Sequence, residues 1–153
     1  MRYIIGLSLL TISLTLPAVA EDEKACTKET IKGTYSVTCT GFLSPAAGAP
    51  QLPASLLGLV TGDSAGVFSG AAKMSLGGSI LNQVAIGPAI VNKDCTGSVK
   101  YSQWINGQAA GYLNIVFNIL KQGEEIRGMG VDPGATLVCK LTLMHRDEPK
   151  EHW

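Results

Sequence analysis

Charge, histidine and aromatic side chains are all scarce in this chain, and each shortage removes a class of function. Charged residues make up 16% of the 153 positions and balance at 12 basic and 12 acidic. The basic residues do not cluster, so there is no electrostatic footprint for nucleic acid. Both histidines, His145 and His152, fall in a charged C-terminal segment. No base therefore stands beside a hydroxyl or thiol, as nucleophilic catalysis requires. The four cysteines form no Cys-x-x-Cys and have no histidine beside them, which argues against thioredoxin chemistry and zinc. Neither a metal site nor a cofactor is indicated. Aromatic residues, at 6%, are too few for the two girdles of an outer-membrane barrel, and Arg146–His152 does not alternate. The longest apolar run, Ile4–Leu16, is about a dozen residues and too short to span a membrane.

What is present points first to export. Met1-Arg2 gives a positive start, Ile4–Leu16 an apolar core and Ala18-Val19-Ala20 a small-residue cleavage site. Cleavage after Ala20 leaves Glu21–Trp153, a single-domain length, in a secreted or periplasmic setting. No cysteine directly follows the cleavage site, so no bacterial lipid anchor is expected. Loss of Arg2 leaves the mature chain near neutrality. Cys26, Cys39, Cys95 and Cys139 remain, and an even count in an exported chain favours two disulfides. The expected organisation is a signal peptide over 1–20, an arm over 21–32, one domain over 33–144 and a charged tail over 145–153.

Within that domain, period-two alternation dominates. In Gly33–Leu43, Tyr35, Val37, Cys39 and Leu43 share one face, opposite Thr34, Ser36, Thr38 and Thr40. A loop with three prolines follows over Ser44–Pro53. Leu56–Thr61 and Val67–Leu76 flank the turn-forming Gly62-Asp63-Ser64-Ala65-Gly66. Ser79–Val91 is the next strand, with Gly87-Pro88 expected to bend or bulge it. Asn92-Lys93-Asp94-Cys95 turns the chain into Ser98–Ile105, because Asn and Asp bond their own backbone and tolerate left-handed geometry. Asn106-Gly107, the strongest short hairpin signal, leads to Gly111–Leu120. There Leu113, Ile115, Phe117 and Ile119 oppose Asn114 and Asn118. Gln122-Gly123 and Asp132-Pro133-Gly134 then separate Glu125–Val131 and Thr136–Met144. About eight strands with no helix longer than two turns predict an all-β, antiparallel up-and-down barrel, closed first strand on last. A β-sandwich is the alternative.

The series Gly33-Thr34-Tyr35, Gly58 with Gly62–Gly66, Ile90-Val91-Asn92-Lys93-Asp94-Cys95-Thr96-Gly97-Ser98, Glu125-Ile126-Arg127 and Asp132-Pro133-Gly134 resembles small exported proteins of the allene oxide cyclase-like barrel group. The resemblance covers about residues 26–144 and implies an eight-stranded, calycin-like barrel with a central cavity. Its motifs are turn motifs, which specify fold more than activity. Most exported members of that group have no assigned function, while related barrels include plant allene oxide cyclases and bacterial polyketide cyclases. This chain has Gly62–Gly66 where the fold's typical hairpin carries Asp-Gly. None of the cyclases' catalytic residues can be placed on it, so activity is not carried over.

Candidate chemistry is correspondingly thin. Asp63, Asp94 and Asp132 sit in turns and read as caps. Glu125 and Arg127 share a strand face and read as an outward pair; Glu125 becomes a general acid only if that face lines a cavity. Of the strand aromatics Tyr35, Phe68, Tyr101, Trp104, Tyr112 and Phe117, each reads first as core filling. An interior site lined by Tyr35 and Phe117, with amides among Asn82, Gln83, Asn114 and Asn118, is the binding-site expectation. The expected partner is then a small apolar or amphipathic ligand. The rivals are a cofactor-free cyclase or isomerase that templates a hydrophobic polyene or oxylipin-like substrate, and a protein–protein interaction scaffold using an outer face. In a closed meander Cys39 and Cys139 lie on neighbouring strands, and Cys26 precedes the first strand while Cys95 sits in a turn. The expected bridges are therefore Cys39–Cys139 and Cys26–Cys95.

Overall fold

Eight antiparallel strands close into one barrel in sequence order. The structure is a computed structural model that describes residues 25–46 and 48–146. The signal-peptide expectation and all of the tail beyond Arg146 lie outside the described residues. The strands are β1 (Gly33–Leu43), β2 (Leu52–Gly62), β3 (Val67–Leu76), β4 (Ser79–Val91), β5 (Thr96–Ile105), β6 (Gln108–Leu120), β7 (Glu125–Gly130) and β8 (Val138–His145). Each pairs with the next, and β1 pairs with β8, so the sheet closes on itself without an edge strand. Among the described residues the only helical pieces are two short 3-10 turns, Lys28–Ile31 and Lys121–Gly123.

The alternating pattern sets the inside and outside of the wall. In β1, Tyr35, Val37 and Cys39 are buried while Thr38 and Thr40 are exposed. The same alternation buries Phe117 and Ile119 in β6 and Cys139 and Leu141 in β8. Asn106 adopts φ 52° and Gly107 φ 81°, the paired left-handed geometry that a two-residue hairpin requires.

The starts of β5, β6 and β8 shift by two or three residues from the expected ones, and two larger expectations differ from what forms. β2 begins at Leu52, inside the proline-containing stretch that reads as loop. Pro53 is tolerated there because it lies at the strand's start and needs only its carbonyl, which accepts the Gly77 N–H at 2.9 Å. Gly87-Pro88 makes no bulge: the β4–β5 register is the same at Ile86↔Ser102 as at Ala89↔Val99. Proline removes one ladder donor. Glycine lets the wall close, since a Cβ at Gly87 would stand 2.1 Å from the Lys100 carbonyl oxygen. The register shifts fall instead near Thr34 in β1 and between Ser102 and Trp104 in β5.

Both disulfides act at closure points. Cys39 and Cys139 face each other in the β1–β8 register and are joined. Cys26 is joined to Cys95, and its N–H donates to the Lys93 carbonyl at 3.2 Å. Cys95 takes φ 64°, unusual for a residue with a side chain, in a turn closed by its own N–H donating to the Asn92 carbonyl at 3.1 Å and tied by the bridge to the arm. The arm so fixed lays Ile31, with no exposed surface, under the barrel.

Candidate functional site

The barrel is filled at one end and hollow toward the other. At the arm end, Tyr35 and Phe68 meet edge to face with ring centroids 6.4 Å apart, and Phe68 meets Phe117 the same way at 6.1 Å. The Tyr35 hydroxyl donates to the Gly123 carbonyl at 3.1 Å, tying this floor to the β6–β7 turn. Burial pushes the Tyr35 phenol above its ordinary pKa, with the Arg146 charge opposing. Tyr35 is thus a floor residue beneath the hollow and not one of its lining groups.

Above the floor lies a cavity of about 110 Å³, bounded by Val37, Leu56, Val60, Phe68, Met74, Val99, Leu113, Ile115, Phe117 and Leu141 among others. The Cys39–Cys139 bridge forms part of its wall. The space exists because β3 and β4 present small inward residues, Gly70, Ala72 and Ala85, where an eight-stranded barrel is otherwise just filled by side chains.

Three polar side chains reach this cavity: Tyr101, Gln83 and Gln103. Tyr101 and Gln103 are successive inward positions of β5, and Gln83 faces inward from β4, diagonal to Gln103 through the Ala85↔Gln103 pair. The Gln83 amide donates to the Gln103 side-chain oxygen. Burial pushes the Tyr101 phenol far above its ordinary value, so it stays protonated. No other lining side chain among the described residues ionises, since both lining cysteines are bridged.

The other candidate residues lie elsewhere. Asn114 and Asn118 alternate with the inward Leu113, Ile115 and Phe117 and so point outward, which removes both from the lining. Asn114 serves the fold instead. Its N–H and its side-chain amide each donate to the Asp132 carboxylate at 2.6 Å, pinning the β7–β8 loop. Asn118 borders a separate outer groove with Arg127 and Met129. Asn82 also faces out, accepting from Lys73. Gln83 alone of the four amides is interior. Sequence reasoning misses Gln103, although its place two residues after Tyr101 marks the same face.

Glu125 sits outside the barrel, so the condition for a general acid is not met. Arg127 Nε donates to its Oε1 at 2.5 Å, and Lys140 Nζ stands 3.4 Å from Oε2. These bonds, the Arg127 hydrogen bond foremost, hold the carboxyl below its ordinary pKa. Its side chain is only 11% exposed, but the partners covering it are 65% and 52% exposed, so water screens the cluster. A carboxylate with a lowered folded-state pKa stabilises the fold above its unfolded value and loses that contribution as pH falls through the folded one. Glu125→Gln is therefore expected to flatten the fall of stability below about pH 4.5, the ordinary glutamate value. Urea melts across pH 2–7 would show it, and an unchanged acid slope would remove Glu125 from the account. Asp94, lowered by hydrogen bonds from Thr96, remains titrating in that variant.

Among the described residues no group of three His, Cys, Asp or Glu side chains could hold a metal ion, and no helix is long and apolar enough to cross a membrane. No family model, curated protein or solved structure matches the chain.

Proposed function

We propose that this protein is an exported carrier or receptor barrel that takes a small, largely apolar molecule into its interior. The observation that carries this reading is the cavity itself, an apolar hollow with a few convergent polar groups, the usual composition of a ligand site. Two disulfides suit an oxidising compartment, in keeping with the N-terminal export pattern. The resemblance to allene oxide cyclase-like barrels is in keeping with eight strands closed around a central space.

Catalysis is favoured less than binding. The described cavity offers no group that gains or loses a proton near neutrality, as efficient acid–base chemistry needs. Its volume is also well below the roughly 300–1,000 Å³ of pockets for larger organic ligands, so a polyene or oxylipin chain would need the barrel to expand. A membrane-inserted barrel is disfavoured by the Thr34, Ser36, Thr38, Thr40 stripe on the outside of β1 and by the apolar interior.

The test is occupancy. Protein purified from its own host and sprayed under native conditions is expected to carry a co-purifying small molecule. Ala85→Leu, which fills the hollow with a larger side chain on the same wall, is expected to release it and to lose uptake of a hydrophobic dye. Equal dye uptake by the two proteins would overturn the interior site.

A second reading has its own observation. Leu59, Ala71, Val84 and Trp104 form one cross-strand row on the outside of β2–β5. Leu57 (62% exposed) and Ile86 (44%) flank it. Neither β2 nor β4 contains a charged residue. This exposes on the order of 400–500 Å² of apolar surface, toward the upper end for a monomer. A second copy of the chain, presenting the same apolar row with Lys73 at its border, is the partner that fits. Sedimentation of Leu59→Lys against the native protein decides it.

A further inference from the structure

We infer that the interior ligand is an uncharged amphiphile about the size of one aromatic ring, whose hydrogen-bonding end lies against Tyr101, Gln83 and Gln103. This deepens the interior-binding reading and rests on it.

A glutamine amide has two donors and one oxygen with two acceptor sites. The Gln83–Gln103 bond uses one donor and one acceptor site, leaving Gln83's oxygen, Gln103's amino group and further capacity on both. The Tyr101 hydroxyl makes no hydrogen bond to another described residue. Yet no side-chain nitrogen or oxygen among the described residues is sealed away without a partner. The three atoms left without a partner, the Gln83 oxygen, the Gln103 amino nitrogen and the Tyr101 hydroxyl, therefore touch open space. For Gln83, which is 7% exposed and lines the cavity, that space is the hollow.

Stability does not call for these groups. Replacing both members of a buried polar pair by apolar side chains of similar shape is nearly neutral or stabilising. A pair of glutamines beside a tyrosine, in a barrel whose remaining wall is aliphatic, aromatic or disulfide, breaks the interior pattern. Such local departures belong at functional sites.

Charge and size then narrow the ligand. No lining residue carries a charge, and the nearby cations Lys73 and Lys100 sit on the exposed outer positions of β3 and β5. A carboxylate or ammonium inside would be desolvated without a counter-ion, which is prohibitive. A volume of about 110 Å³ is of the order that holds a benzene-sized molecule; engineered apolar cavities of ~150 Å³ do so. Because both donors and acceptors are on offer, a hydroxyl suits the wall better than an ether or a ketone, which can only accept.

The experiment titrates the full, disulfide-bonded protein with three probes of one shape: toluene, p-cresol and 4-methylbenzoate. Side-chain amide signals of Gln83 and Gln103 in nitrogen-15 NMR report occupancy. We expect p-cresol to bind about five- to tenfold more tightly than toluene, the net worth of one or two hydrogen bonds, and 4-methylbenzoate not to bind. Tyr101→Phe and the Gln83→Leu/Gln103→Leu pair should bring p-cresol to the toluene level without weakening toluene. Equal binding of toluene and p-cresol to the native protein would overturn the head-group assignment while leaving the interior site standing. So would uptake of 4-methylbenzoate, or variants that keep the native preference. Binding of none of the three overturns the assignment and the interior site together. The p-cresol to toluene ratio and the 4-methylbenzoate titration are both read on the native protein, so the test stands even where a variant fails to fold.

Discussion

Replacing Cys39 and Cys139 by alanine is expected to lower stability by about 2–4 kcal/mol, with a fall in melting temperature of roughly 10 °C or more. The bridge joins residues 100 apart in sequence, and closing a loop of that length is worth up to about 4.7 kcal/mol in the chain-entropy model. The Cys26–Cys95 bridge spans 69 residues, and its entropic worth differs by only about 0.3 kcal/mol on the same formula. The two should nonetheless fail differently. Cys39–Cys139 ties the first strand to the last, across the seam that makes the sheet a barrel. Its loss weakens the cooperative closure of all eight strands. Without Cys26–Cys95 the arm can leave while the sheet stays closed, exposing Ile31 and the turn around Cys95. Urea melts of the two double variants, with hydrogen exchange at β1 and β8, separate these outcomes. Equal stability of the native protein and the Cys39→Ala/Cys139→Ala variant would show that strand pairing alone sets the seam.

How much of this can be read from residues alone follows from what each signal encodes. Alternation in Gly33–Leu43 and Gly111–Leu120 fixes which side chains share a face, because successive positions in a strand point oppositely. The turns are equally legible, since Asn106-Gly107 and Asn92–Cys95 carry the residue types their geometry requires. Closure makes Cys39 and Cys139 neighbours. The start of β2 is not legible. Pro53 by itself reads as loop, and only pairing with β1 and β3 makes Leu52–Ala54 extended.

The site is less legible than the fold. Alternation puts Phe117 on the inward face, where it borders the cavity, whereas Asn114 and Asn118 suggest themselves by their chemistry against the same alternation. Tyr35 is interior, but its height along the barrel puts it in the floor, and period two carries no information about height. The hollow depends on Gly70, Ala72 and Ala85 lying on adjacent walls. Small residues scattered over two strands read as ordinary in sequence and become a void only once the register aligns them.

Phe68→Ala should lower stability by about 3–5 kcal/mol, a large effect for one side chain. Phe68 is 1% exposed and stands between Tyr35 and Phe117, so its removal breaks both edge-to-face contacts of the floor at once. Total stability for a domain is about 5–15 kcal/mol, so this one ring accounts for a large share. The neighbours cannot collapse into the gap. Tyr35 is anchored through its hydroxyl to Gly123, and the adjacent inward positions Gly62 and Gly70 have no side chains to move. Because Phe68 also borders the cavity, the vacated space joins it. The variant is therefore expected to be less stable yet to admit a larger apolar probe than the native barrel. A stability loss below about 1.5 kcal/mol in urea would mean that the floor relaxes, as compensated core substitutions do. An unenlarged ligand range would separate the floor from the binding space. Phe117→Ala supplies the comparison: it removes one edge-to-face contact instead of two and should alter dye uptake with a smaller loss of stability.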